Sequence, residues 1–112
     1  MAASELDDRS FSKTLSATTG LAVVDFHAGW CGPCLMFKPK FVRISSDYPD
    51  VRFFMVDGEK APKARKTVTI EALPYFAVYR DGVFLEGIST DQEPVFRSFV
   101  ERHLGSAPGS AT

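Results

Sequence analysis

The sequence predicts a single α/β domain built on a mixed β-sheet with helices on both faces. Its 112 residues are the usual length of one domain. Apolar and amphipathic stretches follow one another in the order helix, strand, helix, strand, helix, strand, strand, helix, and such alternation implies parallel strands joined by helices. Asp81-Gly82, between two apolar runs, is a hairpin signal that adds an antiparallel pair at one edge.

The strands follow from apolar runs between turn residues. Residues 21–26 are apolar on both alternating faces, which is typical of a central strand covered on both sides. The other predicted strands span residues 51–56, 75–79 and 83–86. The stretch that precedes the first helix, Ala2 to Glu5, is only weakly strand-like.

The helices follow from caps and from three- and four-residue spacing. Asp7 and Asp8 are candidate N-caps of a first helix that ends near Thr18. Pro39 lies inside the second helix and predicts a kink rather than a stop. The helices after the first span residues 32–47, 60–66 and 93–103. The predicted buried faces comprise Phe11 and Leu15; Met36, Phe37, Phe41 and Ile44; and Val95, Phe96, Phe99 and Val100.

Composition excludes several classes of function. Lys and Arg number 13 and Asp and Glu 14, so the net charge is −1 and no strong global field favours nucleic acid or an anionic membrane. No apolar run approaches the ~20 residues of a membrane helix. The acidic residues among positions 1–11 fit neither a signal peptide nor a transit peptide. We expect a domain over residues 1–104 and a flexible tail, GSAPGSAT, over residues 105–112.

The chain has only two cysteines, and both lie in Trp30-Cys31-Gly32-Pro33-Cys34. They follow a strand and begin a helix, where the N–H groups and the helix dipole stabilise a thiolate at Cys31. Cys34 lies one turn further on the same face, within reach of a disulfide. Pro33 is tolerated in a first turn, where its missing N–H costs little. Gly32 and Pro33 therefore shape the site.

This arrangement predicts redox chemistry. An exposed Cys31 thiolate would attack a substrate disulfide, and buried Cys34 would then attack Cys31 to release the reduced substrate. The alternatives are two inert thiols or half of a metal site. A metal site would need further ligands, and the chain offers only His27 and His103. We expect no metal and no bound cofactor.

With these residues the sequence resembles the thioredoxin family. The match rests on Val23 to Phe26, on the WCGPC pentapeptide, on Met36 and Pro39, and on Leu73-Pro74 followed by a strand and Asp81-Gly82. The resemblance implies the thioredoxin fold, an α/β mixed sheet of four to five strands flanked by helices, and protein-disulfide reductase activity through Cys31 and Cys34. The family's first strand has no clear counterpart here.

The resemblance also implies roles for further residues. Asp25 would be the base that takes the proton of Cys34, and Pro74 would be cis and face the disulfide, with Leu73 in the same substrate groove. Trp30 would position substrate, although simple packing is an equal alternative. The implied partners are an NADPH-dependent thioredoxin reductase and the disulfides of peroxiredoxin, methionine sulfoxide reductase and ribonucleotide reductase. We expect a cytoplasmic monomer that binds neither nucleic acid nor membrane.

Some residues depart from the family's pattern. Leu35 stands where many members have a cation, and Phe53 and Phe54 stand where many have a lysine near the buried Asp. With fewer cations nearby, Asp25 would resist ionisation more strongly.

His27 is either an electrostatic modulator of Cys31 or a surface residue without a role in the chemistry. The basic segment from Lys60 to Lys66 is either a solvated helix face or a patch for acidic partners. Two alternatives to a general reductase stay open: a protein dedicated to one partner and a non-catalytic interaction module.

Overall fold

The computed structural model describes residues 3–105, which form five strands and four helices. The strands are β1 (Ser4–Leu6), β2 (Leu21–His27), β3 (Arg52–Asp57), β4 (Tyr75–Arg80) and β5 (Val83–Ser89), and the helices are α1 (Phe11–Ala17), α2 (Gly32–Ser45), α3 (Pro62–Arg65) and α4 (Glu93–Leu104). None of these helices is long and apolar enough to cross a membrane. Except for Gly105, the predicted tail lies outside the described residues.

The sheet has the order β1-β3-β2-β4-β5. Strand β2 is parallel to β3 and antiparallel to β4, and β1 pairs in parallel with β3 while β5 pairs antiparallel with β4. The mixed sheet and the central position of β2 confirm the predicted fold class. Residues 21–26 of β2 are all buried, which accounts for their apolar character on both faces.

Two helices cover each face of the sheet. Helices α2 and α4 pack on the face that carries Val23 and Phe76, and this core contains six phenylalanine side chains. Helices α1 and α3 pack on the opposite face, which carries Val24 and Phe26. Helix α2 runs through Pro39, which confirms that this proline does not end the helix.

Four of these phenylalanine side chains meet around a fifth, Phe96 of α4. Its ring is fully buried, and its centroid lies 4.5–6.3 Å from those of Phe37, Phe41, Phe53 and Phe76. The four rings come from α2, β3 and β4. Phe96 therefore holds both helices of this face against the sheet.

The two predicted N-caps of the first helix have other roles. Helix α1 begins at Phe11, and the Asp7 carboxylate accepts hydrogen bonds from the Arg9 and Ser10 N–H groups in the turn before it. Asp8 reaches across to α3, where its carboxylate accepts the Lys63 and Ala64 N–H groups. An acidic residue does cap a helix here, but one distant in sequence.

Other predictions also need correction. The first strand exists as β1, because pairing with β3 compensates for its weak intrinsic preference. Strand β5 extends three residues beyond the predicted end, with a register shift opposite Val78 and Tyr79. Met36 and Val95, predicted to be buried, are 72% and 42% exposed.

We expect Phe96→Ala to lower the free energy of unfolding by about 3–5 kcal/mol, since a fully buried ring leaves a cavity that its neighbours fill only in part. Urea denaturation measures the change. Val95→Ala on the same helix is the matched control and should stay within about 0.5 kcal/mol of the parent. Equal effects of the two substitutions would contradict this assignment of the core.

Candidate active site

The cysteine loop begins where β2 leaves the sheet. His27 is the last residue of β2, and its carbonyl accepts the Gly58 N–H at 2.8 Å, which fixes the loop after β3 beside it. The Cys31 N–H donates to the Ala28 carbonyl at 3.1 Å and closes a turn. Helix α2 starts immediately afterwards at Gly32.

Cys31 is the N-cap of α2. Its Sγ accepts the Cys34 N–H at 3.2 Å, and its carbonyl accepts the Leu35 N–H at 3.1 Å. The two sulfurs are joined in a disulfide, with Cα atoms 5.3 Å apart. Gly32 and Pro33 occupy the first helical positions, where Pro33 forfeits no helical hydrogen bond. A thiolate at Cys31 would meet an N–H donor and the positive end of the helix.

Both cysteines are nearly enclosed. Cys31 is 5% exposed and Cys34 2%, and both pack against Ala28 and the partly buried Leu73. The prediction of an exposed Cys31 was therefore wrong for the oxidised state. Cys31 lies next to Trp30 in the chain and packs against Leu73, so both side chains adjoin the redox pair.

A groove adjoins the disulfide on that side. Its volume is about 220 Å³, and Trp30 and Leu73 line it together with Glu59, Arg65 and Glu71. The Leu73–Pro74 peptide bond is cis, as the resemblance implies, and Pro74 is buried at the start of β4. Trp30 is 70% exposed, which disfavours the alternative that it serves packing alone.

Asp25 is a carboxyl in the interior of the sheet. It is 1% exposed, its sheet neighbours are Met55 on β3 and Phe76 on β4, and its Oδ1 has no hydrogen-bond partner among the described residues. Burial raises the pKa of Asp25 to about 7. The group can therefore exchange a proton near neutral pH.

The charges that act on Asp25 differ from the sequence-based expectation. The residue opposite Asp25 on β3 is Met55, not Phe53 or Phe54. After burial, the positive charge of Lys38 lowers the pKa of Asp25 and the negative charge of Glu5 raises it. Lys38 lies one turn after Cys34 on α2, and this four-residue spacing was the signal in the sequence that we missed.

His27 lies on the same strand as Asp25, two residues further along. Its Nε2 is 3.8 Å from Glu5 Oε2, which is too long for a hydrogen bond. Burial lowers the pKa of His27, and the carboxylates of Glu5 and Asp57 only partly oppose this. A neutral imidazole at pH 7 argues against an electrostatic effect of His27 on Cys31.

The basic segment from Lys60 to Lys66 forms the surface beside the groove. Lys60, Lys63, Arg65 and Lys66 are exposed, and Arg65 alone of the four lines the groove. No group of three or more potential metal ligands occurs within residues 3–105.

Comparison with known proteins decides the family. The thioredoxin sequence profile matches residues 2–101. The chain belongs to the thioredoxin family. It is 41% identical to the thioredoxin Asp f 28 of Aspergillus fumigatus over 72% of this chain and 74% of that one, and 36% identical to thioredoxin-1 of Schizosaccharomyces pombe over 75% and 82%.

The fold agrees with that of solved relatives. One is a chain from a structure on the thiol resolving mechanism in yeast mitochondrial 1-Cys peroxiredoxin via glutathione/thioredoxin systems. It superposes with a TM-score of 0.80 at 27% identity, over 88% of this chain and 93% of that chain. Like the thioredoxins it matches, the chain is a thiol–disulfide oxidoreductase, and Cys31 and Cys34 form its redox pair.

We expect Asp25→Asn to stabilise the oxidised protein at pH 8 by roughly 2–4 kcal/mol more than at pH 4. The pKa of Asp25 is about 7 in the fold and 3.8 ordinarily, so the folded protein retains a proton that the unfolded chain loses as the pH rises. The contribution of Asp25 to the free energy of unfolding is therefore most favourable below about pH 4, falls as the pH rises to about 7 and is level beyond.

Urea denaturation at the two pH values measures this difference, and asparagine removes the titration. Exposed Asp50→Asn is the matched control and should leave the pH dependence of the parent unchanged. A gain from Asp25→Asn that is the same at both pH values would show that Asp25 is not titrating between them.

Proposed function

We propose that this protein reduces disulfides in a range of protein substrates and is itself reduced by an NADPH-dependent thioredoxin reductase. The observation that carries the proposal is the position of Cys31 as N-cap of α2, where its sulfur accepts a hydrogen bond from the Cys34 N–H. That N–H and the positive helix end favour the thiolate over the thiol. A reducing compartment, the cytoplasm, is the location that suits such a cycle.

The cycle begins with the reduced dithiol. The Cys31 thiolate attacks one sulfur of the substrate disulfide, that S–S bond breaks, and the other substrate sulfur leaves as a thiolate. A mixed disulfide now joins Cys31 to the substrate. Cys34 loses its proton and attacks Cys31 Sγ, so the substrate leaves as a dithiol. The chain retains the Cys31–Cys34 disulfide, the state that the structure holds.

Asp25 is the group we assign to the proton of Cys34. It lies on the sheet face that α2 covers, and Lys38, one turn from Cys34, acts on it. With a pKa of about 7 it is ionised in part at neutral pH and accepts a proton as readily as it returns one. The unpartnered Oδ1 leaves a lone pair free for this transfer.

The groove beside the disulfide is the place we assign to the substrate chain. Trp30 and Leu73 both line it, and the cis peptide bond joins Leu73 to Pro74, which precedes β4. An extended substrate segment lying in this groove would bring its disulfide to Cys31. Peroxiredoxin, methionine sulfoxide reductase and ribonucleotide reductase are proposed substrates. The structure on yeast mitochondrial 1-Cys peroxiredoxin, one chain of which is similar to this chain, supports the first of them.

A second candidate function is reduction of a single dedicated partner. Trp30, Leu35 and Met36 form an exposed apolar surface around the cysteines, with exposures of 70%, 57% and 72%. An exposed apolar surface of this kind marks an interaction site, here for a partner with an apolar surface of its own. An interaction module without catalysis is disfavoured by the redox pair itself.

We expect the protein to reduce insulin disulfides with NADPH and a thioredoxin reductase, and Cys31→Ser to abolish the reaction. Turbidity of the insulin B chain and oxidation of NADPH measure the rate. Val95→Ala, remote from the site, is the control. A folded parent without insulin activity would favour the dedicated partner or the interaction module.

We expect Cys34→Ser to accumulate a mixed disulfide with substrates, because the second sulfur attack is removed while the first remains. Non-reducing electrophoresis of cell extract, followed by mass spectrometry of the trapped species, identifies the partners. A double variant that also carries Cys31→Ser must trap nothing. Trapping that survives in the double variant would mean that Cys31 is not the nucleophile.

We expect Asp25→Asn to slow resolution of the mixed disulfide by about 10²–10³-fold near pH 7, since a positioned base contributes about 10²–10⁴-fold. The rate should recover as pH rises and the Cys34 thiol ionises unaided. Stopped-flow measurement of the tryptophan signal across pH tests this. Unchanged rates and an unchanged pH profile would exclude Asp25 as the base.

A further inference from the structure

A second depression lies next to the redox groove, at the end of β5. Its volume is about 430 Å³, and its lining residues are Thr69, Glu71, Tyr75, Gly87, Ile88 and Ser89. We call it the β5 depression. Glu71 lines this depression and also the groove that adjoins the disulfide. The two depressions therefore meet at the Glu71 side chain.

The segment that carries Glu71 is attached to β5. The Ser89 hydroxyl donates a hydrogen bond to the Ala72 carbonyl at 2.8 Å, and Ser89 pairs with Tyr75 in the sheet. Glu71 itself is exposed, and none of the ion pairs within residues 3–105 involves it. Its carboxylate thus lies between the two depressions without a positive partner in the described chain.

The charges that line the groove leave an excess negative charge at Glu71. Two carboxylates, Glu59 and Glu71, and one guanidinium, Arg65, line the groove, and burial keeps His27 neutral there. Arg65 lies over the loop after β3, because a Cβ on Gly58 would be 3.0 Å from its Cδ. Glu59 is the next residue of that loop, so the charges of Glu59 and Arg65 offset each other on the β3 side. The charge of Glu71 on the side of β4 and β5 is not offset.

Tyr75 places an unpaired hydroxyl in the β5 depression. Tyr75 is 8% exposed, and a Cβ on Gly87 would collide with its hydroxyl oxygen, so the ring lies across the β5 backbone where glycine leaves room. The hydroxyl has no hydrogen-bond partner within residues 3–105, but it is not sealed from solvent as the Tyr79 hydroxyl is. Burial and then the negative charge of Glu71 raise the pKa of Tyr75, so the neutral hydroxyl oxygen is free to accept a hydrogen bond.

These groups suit a basic side chain. A carboxylate and a neutral hydroxyl both accept hydrogen bonds from an ammonium or a guanidinium group. None of the described residues that line the β5 depression is positively charged, so nothing there competes with such a group. The Tyr75 ring and Ile88 present apolar surface to the aliphatic stem of a lysine or an arginine.

We infer that Glu71 and Tyr75 bind a lysine or arginine side chain of the substrate, and that disulfides flanked by basic residues are therefore reduced faster than those flanked by acidic residues. The inference rests on the proposed function, because it concerns the substrates that reach the same redox pair. The substrate segment occupies the groove, its basic side chain enters the β5 depression, and its disulfide meets Cys31.

Reduction of three peptides tests the inference. Each has the same sequence and one intramolecular disulfide, flanked on both sides by Lys, by Gln or by Glu. The reduced protein is mixed with each peptide at low ionic strength, and the tryptophan signal gives the second-order rate constant. We expect the Lys peptide to react about threefold faster than the Gln peptide, the size of effect typical of an exposed ion pair, and the Glu peptide to be slowest. The Lys-to-Gln ratio should approach one in about 1 M salt.

Variants locate the preference. Glu71→Gln should bring the Lys-to-Gln ratio to about one, and Glu71→Lys should make the Glu peptide the fastest. Tyr75→Phe should reduce the ratio without abolishing it. Glu59→Gln is the matched control, because it removes a carboxylate from the same groove but not from the β5 depression, and it should keep most of the parent's ratio.

Equal rates for the three peptides in the parent would overturn the inference, as would a preference for Lys that survives in Glu71→Gln. A binding measurement separates the inference from the proposed function. The ¹⁵N-labelled oxidised protein is titrated with Lys and Gln peptides that carry serine in place of cysteine, and we expect tighter binding of the Lys peptide, with NMR shifts at Glu71 and Tyr75. That result without reduction of any peptide contradicts the proposed function alone. Reduction of all three peptides at one rate, with equal affinities in the titration, contradicts the inference alone.

Discussion

The burial of β2 at the centre of the sheet is the constraint on which the rest of the structure depends. Parallel pairing with β3 and antiparallel pairing with β4 leave β2 no edge, and helices on both faces leave it no solvent. Strand β2 ends at His27, so the cysteine loop and the start of α2 both lie at the carboxyl end of this central strand. The same burial encloses Asp25 between Met55 and Phe76. The position of the cysteine loop and the raised pKa of Asp25 thus both follow from the burial of β2.

The burial of Asp25 sets stability against function. A carboxylate in the interior lowers the free energy of unfolding at neutral pH, and an apolar or amide side chain would not. Yet burial is what raises the pKa of this group to about 7, where it can exchange a proton with a thiol near neutral pH. The positive charge of Lys38 on α2 reduces the cost of ionising Asp25, and the negative charge of Glu5 on β1 increases it. Asp25 Oδ1 has no hydrogen-bond partner among the described residues, and an oxygen with a free lone pair is what proton transfer from a thiol requires.

Local patterns predicted the parts of the molecule that depend on neighbours in sequence. The redox pair follows from a spacing of three residues at a helix start, and the hairpin follows from Asp81-Gly82. What the sequence could not show depends on pairing between distant segments. Strand β1 forms because β3 offers it an edge, and Asp8 caps α3 because the fold brings them together.

The errors at the candidate site have the same origin. Register decides that Met55, not Phe53 or Phe54, faces Asp25, and register cannot be read from one strand alone. Met36 has helical spacing but lies beside the cysteines, where no element of the described chain covers it. Exposed apolar residues at an active site violate the periodic pattern, and such violations are expected at functional sites.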